Sequence, residues 1–178
     1  MIILITGATH TGKTMLSQKL LEQYHYPYLS SMDHVKMGLT RSGITTLTPE
    51  DDEKMTGFLW PIIREIIKTA IENEQNLIDE GCYVPADWEK DFFPKYRKEI
   101  TFRFIIMTEN YIRTHFETLR SHASVIEQRG EDADFDMETA IRENKRFLAA
   151  FGNASKGLIA IDKDYKTELE DYINVLDL

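Results

Sequence analysis

The chain has 178 residues, a formal net charge of −9 and a single cysteine, Cys82. That length suits one domain, residues 1–178, with a substantial core, and the acidic balance argues against a long nucleic acid, whose phosphates need clustered Lys and Arg. One cysteine excludes an internal disulfide and a cysteine-based zinc set, no apolar run reaches the ~18 residues of a membrane span, and the apolar start is too short for a signal peptide, so a cytoplasmic protein is expected.

Ile2 to Thr6 are apolar and β-branched and stop at Gly7, the pattern of a buried strand. Leu16, Leu20 and Tyr24 then recur at helical spacing, and Pro27 is expected to stop that helix. Tyr28 to Ser31 predict a second short strand, after which Asp33 is placed to cap a helix reaching about Arg41. In "SGITTLTPEDDE", Thr48 and Pro49 read as the cap and first turn of the next helix. From Glu50 to about Glu74 an apolar stripe of Met55, Leu59, Ile62, Ile66 and Ala70 predicts a helix that Gly57 and Pro61 kink or divide. "NLIDEG" predicts a third strand, "VPADWEKDF" a loop with a short helix, and Thr101 to Met107 a fourth strand. Ile112, Phe116, Leu119 and Ala123 line a further helix. After the polar break "EQRGEDADFD", another is lined by Ile141, Leu148 and Phe151. "GLIAID" predicts a fifth strand and "ELEDYINVL" a last helix. Strands alternating with helices predict an α/β fold whose parallel sheet is covered on both faces.

The segment from Gly7 to Thr14 reads Gly7-Ala8-Thr9-His10-Thr11-Gly12-Lys13-Thr14, matching G-x-x-x-x-G-K-[ST] between a predicted strand and a predicted helix. Such a loop turns its backbone amides inward, and the helix start adds partial positive charge, so phosphate groups settle there. Lys13 should reach the β- and γ-phosphates of ATP, and the Thr14 hydroxyl should ligate Mg²⁺. The amide of Met15 completes the cradle. His10 reads as a solvent-facing loop residue supplying its backbone. The dinucleotide fingerprint G-x-G-x-x-G is missing, and so is a guanine-specific Asn/Thr-Lys-x-Asp signature.

Ligands of open parallel sheets bind beyond the carboxyl ends of the strands. Asp33 follows the second predicted strand, and Asp79 and Glu80 end the third. Adjacent strand residues face opposite ways, so one of the latter pair is expected to order metal-bound water or substrate, and Asp79 is the candidate for Mg²⁺. Asp33 or Glu80 would position the acceptor. Arg113, Arg120, Arg129, Arg142 and Arg146 lie on or between two late helices. Their alternatives are a role at the transferred phosphoryl and surface ion pairs such as Glu138 with Arg142. Arg120 is placed to stack on adenine, Arg129 to reach phosphate, and residues 121–136 to form a mobile lid. The segment "DKDYK" after the fifth strand should reach the rim that carries the phosphate loop.

Taken together, these motifs resemble the nucleoside-monophosphate-kinase branch of the P-loop proteins. More closely, "SSMDHVKMGL" is similar to the D-x-[IV]-R segment of 2-phosphoglycerate-kinase-like proteins, "LIDEGCYVP" to their strand ending in Glu-Gly, and "RTHFETLR" to their lid-entry helix. Lys36 stands where that pattern usually has Arg, and "GCYVP" lacks a His two residues after the Gly. The resemblance implies a three-layer α/β/α fold with a five-stranded parallel sheet, a helical lid, and ATP- and Mg²⁺-dependent phosphoryl transfer to a small-molecule acceptor. A nucleotide or nucleoside kinase is the rival enzyme. An ATP-binding regulatory module with slow hydrolysis is the rival of another class.

Overall fold

The computed structural model describes residues 1–25, 28–47, 51–122, 136–152 and 157–175. Five strands, β1 (Ile2–Gly7), β2 (Tyr28–Ser31), β3 (Leu77–Glu80), β4 (Ile100–Met107) and β5 (Leu158–Ile161), form one sheet in the order β2-β3-β1-β4-β5. The registered pairs β1–β3, β2–β3 and β4–β5 are all parallel. Seven α-helices alternate with them among the described residues: α1 (Lys13–Tyr24), α2 (Met32–Arg41), α3 (Asp52–Glu72), α4 (Pro94–Arg97), α5 (Glu109–His122), α6 (Met137–Phe151) and α7 (Tyr165–Val175). All six residues of β1 are buried, as a parallel strand covered on both faces requires. Each fully buried Ile there is worth roughly 1.5–3 kcal/mol. No described helix is long and apolar enough to cross a membrane.

Contacts gather the chain into two compact units. The first comprises Met1–Thr6 and Ser17–Phe102, the second Gly7–Leu16 and Arg103–Leu178. In the first unit α3 packs Met55, Leu59, Trp60, Ile63, Ile67 and Ala70 into the core. The buried stripe therefore runs through Ile63 and Ile67. Ile62 and Ile66, expected on it, flank it half-buried and line a surface groove with Leu29 and Leu77. Nor do Gly57 and Pro61 divide the helix, which runs through both. The two are i and i+4, so the carbonyl that Pro61 cannot satisfy belongs to Gly57. Both lie on the exposed face, where water can take the missing donor's place. Edge-on aromatic contacts, Trp60–Phe92 at 6.1 Å and Trp88–Phe92 at 5.9 Å between ring centres, close the far end of this core.

Two further expectations, on the Asp33 cap and on Leu148, are corrected by the same geometry. Ser31 stands at the N-cap position of helix α2, without a side-chain capping bond, and Asp33 lies within the first turn. Helix α1 ends at Tyr24, with His25 in the left-handed region at φ 52°, a helix-ending conformation; Pro27, Thr48 and Pro49 lie outside the described residues. In the second unit α6 buries Ala140, Ile141, Asn144, Phe147 and Phe151, while Leu148 is 40% exposed, because Phe147 continues the i, i+4, i+7, i+11 stripe that starts at Ala140. Asp136 caps α6, accepting from the Thr139 amide at 2.8 Å. Buried Asn144 ties α6 to β4 by accepting from the Met107 amide at 2.7 Å.

Candidate active site

The second unit holds the phosphate loop. Chain reversal over residues 7–13 is carried by Gly7, His10 and Gly12, all at positive φ. Its interior is tied by the Ala8 carbonyl, which accepts from the Thr11 hydroxyl and from the Lys13 ammonium, both at 2.8 Å. Lys13 is thus folded along the loop and 9% exposed. The Leu16 amide donates to the Gly12 carbonyl at 2.9 Å as the first bond of α1. The amides of Lys13, Thr14 and Met15 precede it, at the end of a helix where such groups have no intrahelical acceptor. No acidic residue occupies that first turn. The helix partial charge is therefore uncompensated by the helix's own side chains, an arrangement that favours an anion. Thr14 is half-buried. His10 contributes a left-handed backbone turn at φ 62°, and its side chain is not the solvent-facing one expected: the ring is half-buried, with Nε2 shut off from solvent.

"DKDYK" meets this loop, as expected. Tyr165, the first residue of α7, donates its hydroxyl to the Gly12 carbonyl at 3.4 Å. A Cβ on Gly12 would lie 1.7 Å from that phenol oxygen, on a residue already at φ 83°, so only glycine fits. Burial, with neighbouring Tyr111 second, pushes the Tyr165 phenol up to about 12. Tyr111 stacks on His115 at 4.3 Å between ring centres. His115 breaks the helical geometry of α5 at φ −121°, ψ 15°. Its Nδ1 contacts the Tyr111 carbonyl at 3.2 Å, the kind of side-chain intrusion that kinks a helix. Arg120 is exposed near the end of α5. Arg113 is bound up in ion pairs, with Glu109 at 2.8 Å and Glu138 at 3.1 Å. Glu138 therefore pairs with Arg113, whereas Arg142 donates to the Thr139 hydroxyl at 3.0 Å. Arg129, and all of the expected lid except residues 121, 122 and 136, lie outside the described residues.

The first unit carries the acidic residues. The register sets Asp79 beside Leu4 and Ser30, and Glu80 beside Ile5 and Ser31. Successive strand residues alternate faces, so the two carboxyls belong to opposite sides of the sheet. Both are buried. Neither Asp79 oxygen has a geometric hydrogen-bond partner. Burial holds the Asp79 carboxyl well above the usual carboxylate range, the Glu80 charge adds to the rise, and the Ser30 hydroxyl offsets part of it. Asp33, in the first turn of α2, forms an ion pair with Lys36. The Lys36 ammonium also donates to the Tyr83 hydroxyl at 3.0 Å. Burial opposes the Lys36 charge, but Asp33 and Tyr83 outweigh it and raise the group above its ordinary value. Tyr83 reaches α2 because Gly81, just past β3, lets the chain press on Met32; a Cβ there would lie 2.5 Å from the Met32 Cβ. The Asp33–Lys36–Tyr83 cluster therefore stands beyond the carboxyl ends of β2 and β3.

Sequence reasoning named Asp33 and noted Lys36 only as a departure from the Arg of a related pattern, gave Tyr83 no part in the site, and placed "DKDYK" without singling out Tyr165. The spacing of Asp33 and Lys36, one helical turn apart on a predicted helix, was the available signal. The contacts of Tyr83 and Tyr165 span 47 and 153 residues, so no local pattern could report them.

No protein-family model and no curated protein matches the chain. Solved structures do. It is similar to shikimate kinase from Bacteroides thetaiotaomicron, with TM-score 0.58 and 15% identity over 99% of this chain and 98% of that one. Deoxyadenosine kinase from M. mycoides, with bound dATP, matches with TM-score 0.54 and 18% identity over the whole of both chains. Shikimate kinase from Aquifex aeolicus matches with TM-score 0.54 and 16% identity over 99% and 96%. At such identities the likeness is one of fold, and the chain has the three-layer α/β/α fold of these P-loop kinases.

Proposed function

We propose that the chain is a cytoplasmic, ATP-dependent phosphotransferase acting on a small-molecule acceptor. The observation that carries this reading is the phosphate loop itself: an eight-residue motif match in which the loop, the buried lysine and an acid-free helix start coincide. In this reading the amides of the loop and of Lys13 to Met15 hold the phosphates. Lys13 moves its ammonium from the Ala8 carbonyl to the transferring phosphoryl group, where a preorganised positive charge lowers the barrier. Asp33 orients the acceptor hydroxyl, and Lys36 and Tyr83 donate to further oxygens of the acceptor. Arg120 and Arg129 remain candidates for the base and the phosphates. The resemblance to 2-phosphoglycerate-kinase-like proteins belongs to the same proposal, on the "SSMDHVKMGL" and "LIDEGCYVP" segments.

Each unit by itself offers a group of the right chemistry for Mg²⁺: in the second, Thr14 has a half-buried hydroxyl, the ligand that the motif assigns, and in the first, Asp79 has two buried carboxyl oxygens without a geometric partner. Among the described residues no group of three or more His, Cys, Asp or Glu could hold a metal; in this reading Mg²⁺ is bound chiefly by phosphate and water. When bound, the ion neutralises charge on the β- and γ-phosphates.

The test is ADP release from ATP across a panel of hydroxy acids, phosphomonoesters, polyols and nucleosides. Acceptor-dependent release is expected, with the rate lowered about 10²–10³-fold in Lys13→Ala, the cost of losing one preorganised charge contact. Slow release independent of every acceptor would favour a regulatory ATPase. The likeness to deoxyadenosine kinase is the reason to include deoxyadenosine, whose selective phosphorylation would establish the nucleoside-kinase reading.

A further inference from the structure

Tyr165 touches the phosphate loop at the carbonyl that starts helix α1. The Gly12 oxygen accepts the Leu16 amide at 2.9 Å and the Tyr165 hydroxyl at 3.4 Å. The Gly12 carbonyl and the Lys13 amide share one peptide plane, so whatever fixes that plane aims the Lys13 amide directly and, through the next dihedrals, biases that of Thr14. The loop's own left-handed turn leaves Gly12 the freedom of a residue without a side chain. The phenol occupies the space beside it: its oxygen lies 1.7 Å, and its ring carbon 2.8 Å, from where a Cβ would stand.

The phenol is itself held by a rigid base. The Thr108 hydroxyl donates to Asp162 at 2.7 Å, and the Thr108 amide donates to the Ile161 carbonyl at 2.9 Å. Glu168 accepts from the amides of Asp162 at 2.9 Å and Lys163 at 3.1 Å. Asp164 caps α7 through the Thr167 amide at 2.8 Å. Five hydrogen bonds thus pin the segment from which Tyr165 projects, before and after it in the chain.

We propose that Tyr165 is a positioning residue for phosphate binding: a strut from the β5–α7 segment that holds the Gly12 peptide so that the amides at the start of α1 face the phosphates. This rests on the proposed reading of the loop as an ATP site. A strut of this kind acts on every ligand that uses the loop, independently of the base and of the acceptor. Its loss should weaken pyrophosphate and ATP by the same factor and leave the acceptor KM unchanged.

The experiment is titration calorimetry of the full chain with ATP and with pyrophosphate, alongside thermal unfolding, for wild type, Tyr165→Phe and Tyr165→Leu. Tyr165→Phe keeps the ring and removes only the hydroxyl, so its melting temperature should stay close to wild type. A net hydrogen bond amounts to roughly three- to ten-fold in affinity; this one, long at 3.4 Å, belongs at the lower end, so a loss of about three-fold is expected for both ligands in Tyr165→Phe. Tyr165→Leu should lose more than ten-fold, since the ring that fills the space beside Gly12 is gone. Both ligands binding both variants within two-fold of wild type overturns the strut, whatever happens to the melting temperature. A loss for ATP but not for pyrophosphate also overturns it, and makes Tyr165 a contact of the nucleoside. Wild type that binds neither ligand rejects the ATP reading of the loop, and the strut falls with it, a result separate from the other two.

Discussion

At the residue scale, the two acids named from the sequence separate by environment. Asp33 is ion-paired and partly accessible, with 24% of its side chain exposed, while Asp79 is fully buried. If Asp33 orients the acceptor, Asp33→Asn should lower kcat by ten-fold or more, leave ATP affinity within two-fold, and raise the acceptor KM; kinetics with each substrate varied in turn will read all three. Asn would preserve a capping function, but Ser31 holds that position, so an unaltered rate would leave Asp33 a purely structural partner of Lys36. For Asp79 the pH dependence has a definite sign. Its carboxyl binds a proton more tightly in the folded chain than in the unfolded one, because burial, then Glu80, raises it. Its contribution to stability is therefore complete below the ordinary carboxylate value of about 4. It is lost as pH climbs from there toward the elevated folded value. Asp79→Asn should flatten that slope in metal- and nucleotide-free protein. At pH 7 it should raise stability, because the neutral amide has no proton to take up on folding, and it should reduce Mg²⁺-dependent turnover. Superimposable pH–stability profiles for the two proteins would show that Asp79 does not titrate in this way. The identity of both acids was legible from their place at strand ends. Their difference was not, because burial is set by what packs over a residue and not by its neighbours in the chain.

At the scale of elements, α3 shows where periodicity informs and where it misleads. Its existence, length and apolar character were readable from the spacing of Met55, Leu59 and Ala70. The face was misread by one position: Ile62, Ile63, Ile66 and Ile67 form two adjacent isoleucine pairs, and a helical pattern cannot rank two neighbouring rows of equal hydropathy. The same ambiguity put Leu148 in place of Phe147. Short strands were read nearly to the residue where a turn signal bounds them, as with Gly7 at the end of β1 and Gly81 after β3. The breaking power of Pro61 was overestimated, since its partner carbonyl at Gly57 faces water. A stability gain is therefore available: Pro61→Ala restores one amide to the helix ladder and removes a poor helix former. Part of this is offset by the freer unfolded chain. The variant should be more stable by about 1–2 kcal/mol, read as a higher urea midpoint at unchanged m. A lower midpoint would mean that the proline ring makes contacts worth more than the ladder bond.

At the scale of the whole molecule, the order of strands and helices was legible, since alternating β and α segments leave few topologies for a parallel sheet. The long-range contacts that complete the candidate site were not. A ligand that binds only the folded chain should stabilise it by about 2.7 kcal/mol at one hundred times its Kd. For a chain of this size that is a rise of roughly 5–10 °C in melting temperature. ATP with Mg²⁺ should produce such a rise in wild type and little in Lys13→Ala, and differential scanning calorimetry can follow both. Optical detection would sample the molecule unevenly. The only two tryptophans, Trp60 and Trp88, both belong to the first unit, buried against Phe92. Trp60 also donates its indole N–H to Asp91 at 2.7 Å. Intrinsic emission at the red edge of excitation is therefore a signal from the unit that carries Asp33 and Asp79, while the unit that carries the phosphate loop is dark. A denaturation curve followed by that emission reports the loss of one unit and is silent on the other. Replacing Phe116 on α5 with Trp in a chain whose native indoles have been changed to Phe would light the second unit alone, and turn fluorescence into a unit-by-unit assay of unfolding.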